Sequence, residues 1–150
     1  MPSHSETRAL PYTAQQMYDL VADVAKYPDF IPWTIATRVL SVEEVGDHKV
    51  MHADMVVGFK MFRERFQSRV TLWEDAKKID TEYVDGPFKY LVSNWEFEDT
   101  PTGSNVHFKV DFEFKNRLLQ GAAGLFFMDA MQRIVRAFEA RAAALYGPGA

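Results

Sequence analysis

Apolar and polar positions along the chain follow three different rhythms. Between Tyr12 and Pro28 the rhythm is helical: Met17, Leu20, Val21 and Val24 recur at i, i+3, i+4 and i+7 as one stripe. Thr13 followed by Gln16 forms a capping box ahead of it, with Tyr12 placed to staple onto Met17. Pro28 is the expected stop. From Thr34 to Lys115 the period falls to two. Met51, Ala53, Met55, Val57 and Phe59 share one face, opposite His52 and Asp54. Phe62, Glu64, Phe66, Ser68, Val70 and Leu72 alternate with Arg63, Arg65, Gln67, Arg69 and Thr71. Val106, Phe108, Val110, Phe112 and Phe114 alternate with His107, Lys109, Asp111 and Glu113. One apolar and one polar face mark antiparallel strands. Turn signals at Val45-Gly46-Asp47, Asp85-Gly86-Pro87 and Thr100 to Gly103 divide the region into about six or seven of them.

The third rhythm is again helical, from about Leu118 to Leu145. Phe127, Met131, Ile134, Phe138 and Leu145 form its stripe, and Asp129, Arg133, Arg136 and Glu139 lie elsewhere. Its first turns are apolar nearly all round and hold Gly121 and Gly124. A short N-terminal helix, a run of curved strands and one long closing helix predict an α+β fold, a sheet wrapped around the last helix. Residues 1–150 read as one domain. The first ten residues, with His4, Glu6 and Arg8 and no apolar run, read as a polar tail. They form neither a signal peptide nor an arginine-rich transit peptide. No stretch approaches the ~18 apolar residues of a membrane span, so a cytoplasmic location is expected.

Composition narrows the function classes. With 17 basic and 21 acidic residues the formal net charge is -4, which argues against a nucleic-acid binder held by phosphate neutralisation. The absence of cysteine excludes disulfides, thiolate zinc sites and cysteine nucleophiles. His4, His48, His52 and His107 show neither metal-site spacing nor a serine partner in a nucleophile elbow. Gly121-Ala122-Ala123-Gly124 lacks the lysine and preceding strand of a phosphate loop. No catalytic residue, metal or enzymatic activity is therefore expected. Aromatic residues (12 Phe, 6 Tyr, 3 Trp) make up 14% of the chain. That content suits a filled core or a hollow one with aromatic walls.

Three segments carry a family resemblance. Tyr27-Pro-Asp-Phe-Ile-Pro-Trp33 resembles the YPxFxPW motif of the coenzyme Q-binding proteins, within the START-like, helix-grip superfamily that also holds polyketide cyclases. Phe62-Arg-Glu-Arg-Phe-Gln-Ser-Arg-Val70 resembles their FxExFxSxV strand, and Asp85-Gly-Pro-Phe-Lys89 followed by Trp95 resembles their DGPFK…W segment. Thr34 stands where that family commonly has Cys. The resemblance implies a helix-grip fold with a cavity between sheet and closing helix. It implies binding of ubiquinone or a similar polyprenyl lipid in support of respiration, without catalysis. The same family includes bacterial ribosome-association toxins, which leaves a translation regulator as the alternative and a cyclase or aromatase as a third.

On that reading the residues expected to meet the ligand are Phe30, Trp33, Met51, Met55, Val57, Phe59, Glu64, Phe66, Ser68, Leu91, Trp95, Phe112, Phe127 and Met131. Methionines adapt to an irregular apolar guest. Glu64 is the carboxylate out of place, in phase with Phe62, Phe66 and Val70. Either it reaches water or an arginine at a strand end, or with Ser68 it forms the polar end of a cavity that meets a quinone head. A pocket of ~300–1,000 Å³ holds such a head and a few isoprene units. The rest of the tail implies transient contact with the inner face of the cell membrane, through Gly121–Met128 or the Phe30–Trp33 turn. Arg63, Arg65 and Arg69 either meet anionic head groups there or pair with acids on a neighbouring strand.

Overall fold

The alternating region folds as six antiparallel strands, and a seventh joins them from the N-terminus. The computed structural model describes the backbone of residues 3–59, 62–86 and 88–147, with side chains over the same residues except 59, 62, 119–120 and 122–128. In chain order the elements are β1 (Ser3–Leu10), α1 (Ala14–Ala22), a 3-10 helix (Val24–Asp29), β2 (Thr34–Val45), β3 (His48–Phe59), β4 (Phe62–Trp73), β5 (Lys78–Asp85), β6 (Phe88–Thr100), β7 (Gly103–Phe114) and α2 (Arg117–Tyr146). They form one seven-stranded sheet ordered β1-β7-β6-β5-β4-β3-β2. Both helices pack on its inner face, as the α+β expectation requires.

Strand β1 corrects the reading of the first residues as a tail. It pairs with β7 from Ser3 opposite Asp111 to Leu10 opposite Ser104. Its alternation sets Ser3, Ser5 and Thr7 outward and His4, Glu6 and Arg8 inward, polar against charged, so no hydrophobic period announces it. The inward polar groups satisfy one another. His4 Nε2 lies 2.6 Å from Glu6 Oε1, and Arg8 Nε donates to Glu6 Oε2 at 2.5 Å. An Arg8 guanidinium nitrogen sits 3.2 Å from Glu139 Oε1 on α2, tying the edge strand to the closing helix. Burial raises the Glu6 pKa, but the hydrogen bonds from His4 and Arg8 outweigh it and hold the carboxyl below its ordinary value.

Helix α1 begins as the capping box predicts. Thr13 Oγ1 accepts from Gln16 N at 3.1 Å, and Gln16 Oε1 accepts from Thr13 N at 2.9 Å. It ends at Ala22 rather than at Pro28, because Asp23 leaves the helical region with ψ 68°. The Tyr27 hydroxyl donates to the freed Val21 carbonyl, and the chain continues through Pro28 as the 3-10 helix. Among the described residues of α2 the buried side chains are Val135, Phe138 and Ala142, while Leu145, expected on the stripe, is exposed. The last turn is rotated toward α1: wholly buried Ala142 permits close approach, and the Tyr146 hydroxyl donates to Gln16 O at 3.0 Å.

Gly86 has no substitute. It holds φ +145°, and a Cβ there would lie 2.6 Å from Phe66 Cβ, where β4 and β5 slip register between Gln67 and Ser68. The Tyr83 hydroxyl closes the turn onto the Gly86 carbonyl. Gly86→Ala forces this contact apart and should lower unfolding free energy by about 1–3 kcal/mol, read by denaturant titration.

The β1–α2 link sets an acid limb of stability. Because the folded pKa of Glu6 is lowered, its contribution is complete above the ordinary value of about 4.3 and is lost as pH falls through the folded value. Glu6→Gln should unfold about 1–3 kcal/mol more easily at neutral pH and show a shallower acid decline in thermal melts.

Candidate functional site

The inner face of the sheet is a lattice of cross-strand pairs. On β3 and β4, Met51 opposes Val70, Ala53 opposes Ser68, Met55 opposes Phe66 and Val57 opposes Glu64. On β6 and β7, Trp95 opposes Phe108 and Leu91 opposes Phe112. Twelve of the expected ligand residues have described side chains. The structure brings nine of these onto this face: Met51, Met55, Val57, Glu64, Phe66, Ser68, Leu91, Trp95 and Phe112. Met131 comes from α2, and Phe30 and Trp33 come from the turn after the 3-10 helix. The side chains of Phe59 and Phe127 lie outside the described residues.

Two aromatic clusters divide this face. In the first, Phe138 of α2 meets Tyr27, Phe30 and Trp95 at centroid distances of 5.6, 5.3 and 5.2 Å. Trp95 lies 4.3 Å from Phe108, and Arg141 stands over Phe30 at 5.2 Å. In this way Phe30 and Trp95 are partners in clamping the closing helix. Burial pushes the Tyr27 phenol pKa far above its ordinary value, so its hydroxyl remains a donor. The second cluster centres on Phe88, which contacts Phe66 at 5.4 Å, Phe112 at 6.0 Å and Phe114 at 4.7 Å. Phe88 was not among the expected ligand residues, although it is the Phe of the Asp85-to-Lys89 segment.

Burial changes from one end of the sheet to the other. At the α1 end, Ile79, Phe97, Val106 and Ala142 are buried. Toward the opposite end, where β3 passes into β4 and α2 begins, the Phe66, Phe88 and Phe112 rings are buried, while Met55, Val57, Glu64, Leu91 and Met131 beside them are half-buried. Inward-facing apolar side chains left half-covered beside one carboxylate have the composition of a hydrophobic ligand site. Glu64 makes no ion pair among the described residues. Its neighbours on the outer face do: Arg65 pairs with Asp54 and Arg69 with Glu82, the second at 2.6 Å. Of the two readings of the arginine stripe, these two residues follow the cross-strand pairing.

Trp33 stands at the same end with φ +66°, a conformation that costs a bulky residue of order 1–3 kcal/mol. Gly58 N donates to its carbonyl at 2.9 Å, which fastens the Tyr27–Trp33 turn to β3. Leu118, in the first turn of α2, is 84% exposed. The outer face carries two depressions of about 310 and 450 Å³. One has a chiefly polar lining, with Asp54, Arg65 and Asp85; the other is evenly mixed, with Lys78, Asn94 and His107 beside Phe108. Among the described residues no group of three or more His, Asp or Glu is arranged to hold a metal ion. Among them, too, no helix is long and apolar enough to cross a membrane.

Known proteins resemble this chain over nearly its whole length. The ribosome association toxin RatA of Rickettsia prowazekii is 34% identical over 145 residues, covering 95% of this chain and 97% of that protein. The mitochondrial coenzyme Q-binding protein COQ10 homolog B of Xenopus laevis is 34% identical over 149 residues, 96% of this chain and 59% of that longer protein. The solution structure of the 18 kDa protein CC1736 of Caulobacter crescentus superposes with a TM-score of 0.81 at 37% identity, covering 98% of this chain and 99% of that one. Residues 10–139 match the family described as polyketide cyclase / dehydrase and lipid transport. With its curved antiparallel sheet closed by a long C-terminal helix, the chain belongs to that START-like family, among relatives that include both coenzyme Q-binding proteins and ribosome association toxins.

Proposed function

We propose that the chain acts as one lipid-binding domain that takes up ubiquinone or a related polyprenyl lipid between the sheet and the first half of α2. It serves there as a non-catalytic lipid chaperone supporting respiratory electron transport. The observation that carries this reading is the half-buried inner row Met55, Val57, Leu91 and Met131 with Glu64 beside it, at the end of the fold where α2 begins. The name of the coenzyme Q-binding relative supports the same ligand class.

The chemistry suits such a guest. Each buried isoprene unit contributes roughly 3–4 kcal/mol at ~0.8 kcal/mol per CH₂-sized group, so a head and a few units suffice for useful affinity. Glu64 and Ser68 are the polar groups offered to the head, through water or a donor. The remaining tail stays in the bilayer or on the protein surface, and exposed Leu118 together with the Trp33 turn is the contact offered to the cytoplasmic face of the membrane.

A second reading has its own support: several relatives of similar identity are named ribosome association toxins, two of them at 34 and 36%. On that reading the protein regulates translation through the ribosome, and the inner face has a structural or ligand-sensing part.

Mass spectrometry of gently purified protein should find co-purified quinone, and short-chain quinone should bind the emptied protein. Glu64→Leu should weaken that binding about tenfold, the value of one hydrogen bond to a charged group. Empty protein that also ignores added quinone overturns the lipid reading. For the ribosome reading, the protein should co-sediment with ribosomes and stay bound as salt rises; association that fades with salt is only electrostatic and overturns it.

A further inference from the structure

The two edges of the sheet are built differently. On β1 the outward positions are Ser3, Ser5, Thr7 and Ala9, and the strand is eight residues long. On β2, twelve residues long, nearly every position from Ile35 onward is exposed. Five of its exposed side chains are large and apolar, with Leu40 at 42% and Val42 at 53%. The 3-10 helix covers only the start of β2, where Thr37 Oγ1 donates to Val24 O at 2.9 Å. Beyond it, the strand presents a row of edge N–H and C=O groups. A long, apolar, open edge of this kind is a template for another strand.

The pattern of β2 specifies which strand. A bulge lies between Val39 and Ser41, with Leu40 as the extra residue. Because of it, Val39 and Val42 oppose Ala53 and Met51 and both face inward, while Arg38 and Glu43 oppose Asp54 and Val50 and both face outward. A two-fold axis perpendicular to the sheet, between Leu40 and Ser41, then sets Arg38 of one copy against Glu43 of the other, twice. The same axis sets Val39 against Val42, twice, on the opposite face. Without the bulge, the members of these pairs would lie on opposite faces. Among the described residues Arg38 and Glu43 have no ion-pair partner within the chain, since Asp54 is taken by Arg65. Opposite charges and β-branched pairs directly across strands are the contacts that stabilise such a junction.

We propose that β2 is a self-complementary edge through which two copies of this chain pair antiparallel, joining their sheets across Arg38–Glu43. The occupant is a second copy because charge and face match under that single operation, and this inference is independent of the ligand. An edge of six residues is smaller than a standard interface of about 1,200–2,000 Å², so the dimer is weak, with a Kd of about 10–100 μM.

Sedimentation velocity of the full chain across that concentration range tests it. The wild-type protein should move from monomer toward dimer as concentration rises. Arg38→Glu alone and Glu43→Arg alone should each weaken pairing about tenfold or more, and the double exchange R38E/E43R should restore it. Val42→Lys, at an exposed position, should abolish pairing while leaving the circular dichroism spectrum unchanged. A wild-type protein that stays monomeric throughout overturns the proposal. So does a dimer indifferent to the single reversals, or a double exchange as weak as either single one.

Discussion

The ring of Phe138 is the pin on which this architecture turns. A curved seven-stranded sheet exposes more apolar surface on its inner side than one helix covers, so the place where that helix is fastened decides what stays covered. Phe138 sits edge-on among Tyr27, Phe30 and Trp95, and so joins α2, the 3-10 helix and the centre of the sheet at one point. Edge-to-face geometry of this kind adds about 0.5–1.5 kcal/mol per pair beyond the area buried. Ala142 lets α2 approach closely, and Tyr146 bonds across to α1. From the edge strand β1, Arg8 reaches Glu139. All of these contacts lie in the second half of the helix.

This asymmetry connects packing to function. Where α2 is fastened, the inner face is a buried core; where α2 begins, Met55, Val57, Glu64 and Leu91 are half-covered beside the buried rings of Phe66, Phe88 and Phe112. Strain collects at the same end, in the left-handed backbone of Trp33 held by Gly58. Residues held in sparsely populated conformations persist only where surrounding contacts over-determine them, and they gather at ligand sites and clamps. Glu64 is in keeping with that pattern, a carboxylate among apolar neighbours without an ion pair among the described residues. The other inward charges, on β1, neutralise one another.

A shared fold does not carry one function. Relatives of similar identity are named for coenzyme Q binding and for ribosome association, and the family's own description spans cyclase chemistry and lipid transport. Function resides in the site that the fold presents. The proposed site offers apolar walls, one carboxylate and a hydroxyl, a set suited to binding an oily molecule with a polar head. The outer face, by contrast, is paired and polar, with Arg65 and Arg69 engaged by acids on neighbouring strands.

The chain's own pattern determined the elements from α1 to α2 and the inward set on β3, β4 and β7, because period-two and period-3.6 burial are local consequences of backbone geometry. Thr13 and Gln16 announced their cap for the same reason: its partners are three residues apart. The Phe88 ring was visible in its motif but not as the hub of a cluster, since Phe66, Phe112 and Phe114 reach it from other strands. Strand β1 was hidden because its alternation sets polar against charged residues, and those charges become tolerable inside only when Glu139 and the sheet edge meet them. The end of α1 depended on a Tyr27 hydroxyl arriving from the next helix, and the rotation of α2 on a bond to Gln16. Which end of the inner face is filled and which is left half-open was likewise a tertiary decision. It is settled by where Phe138 docks, and no local pattern records a contact between side chains that the chain brings together only on folding.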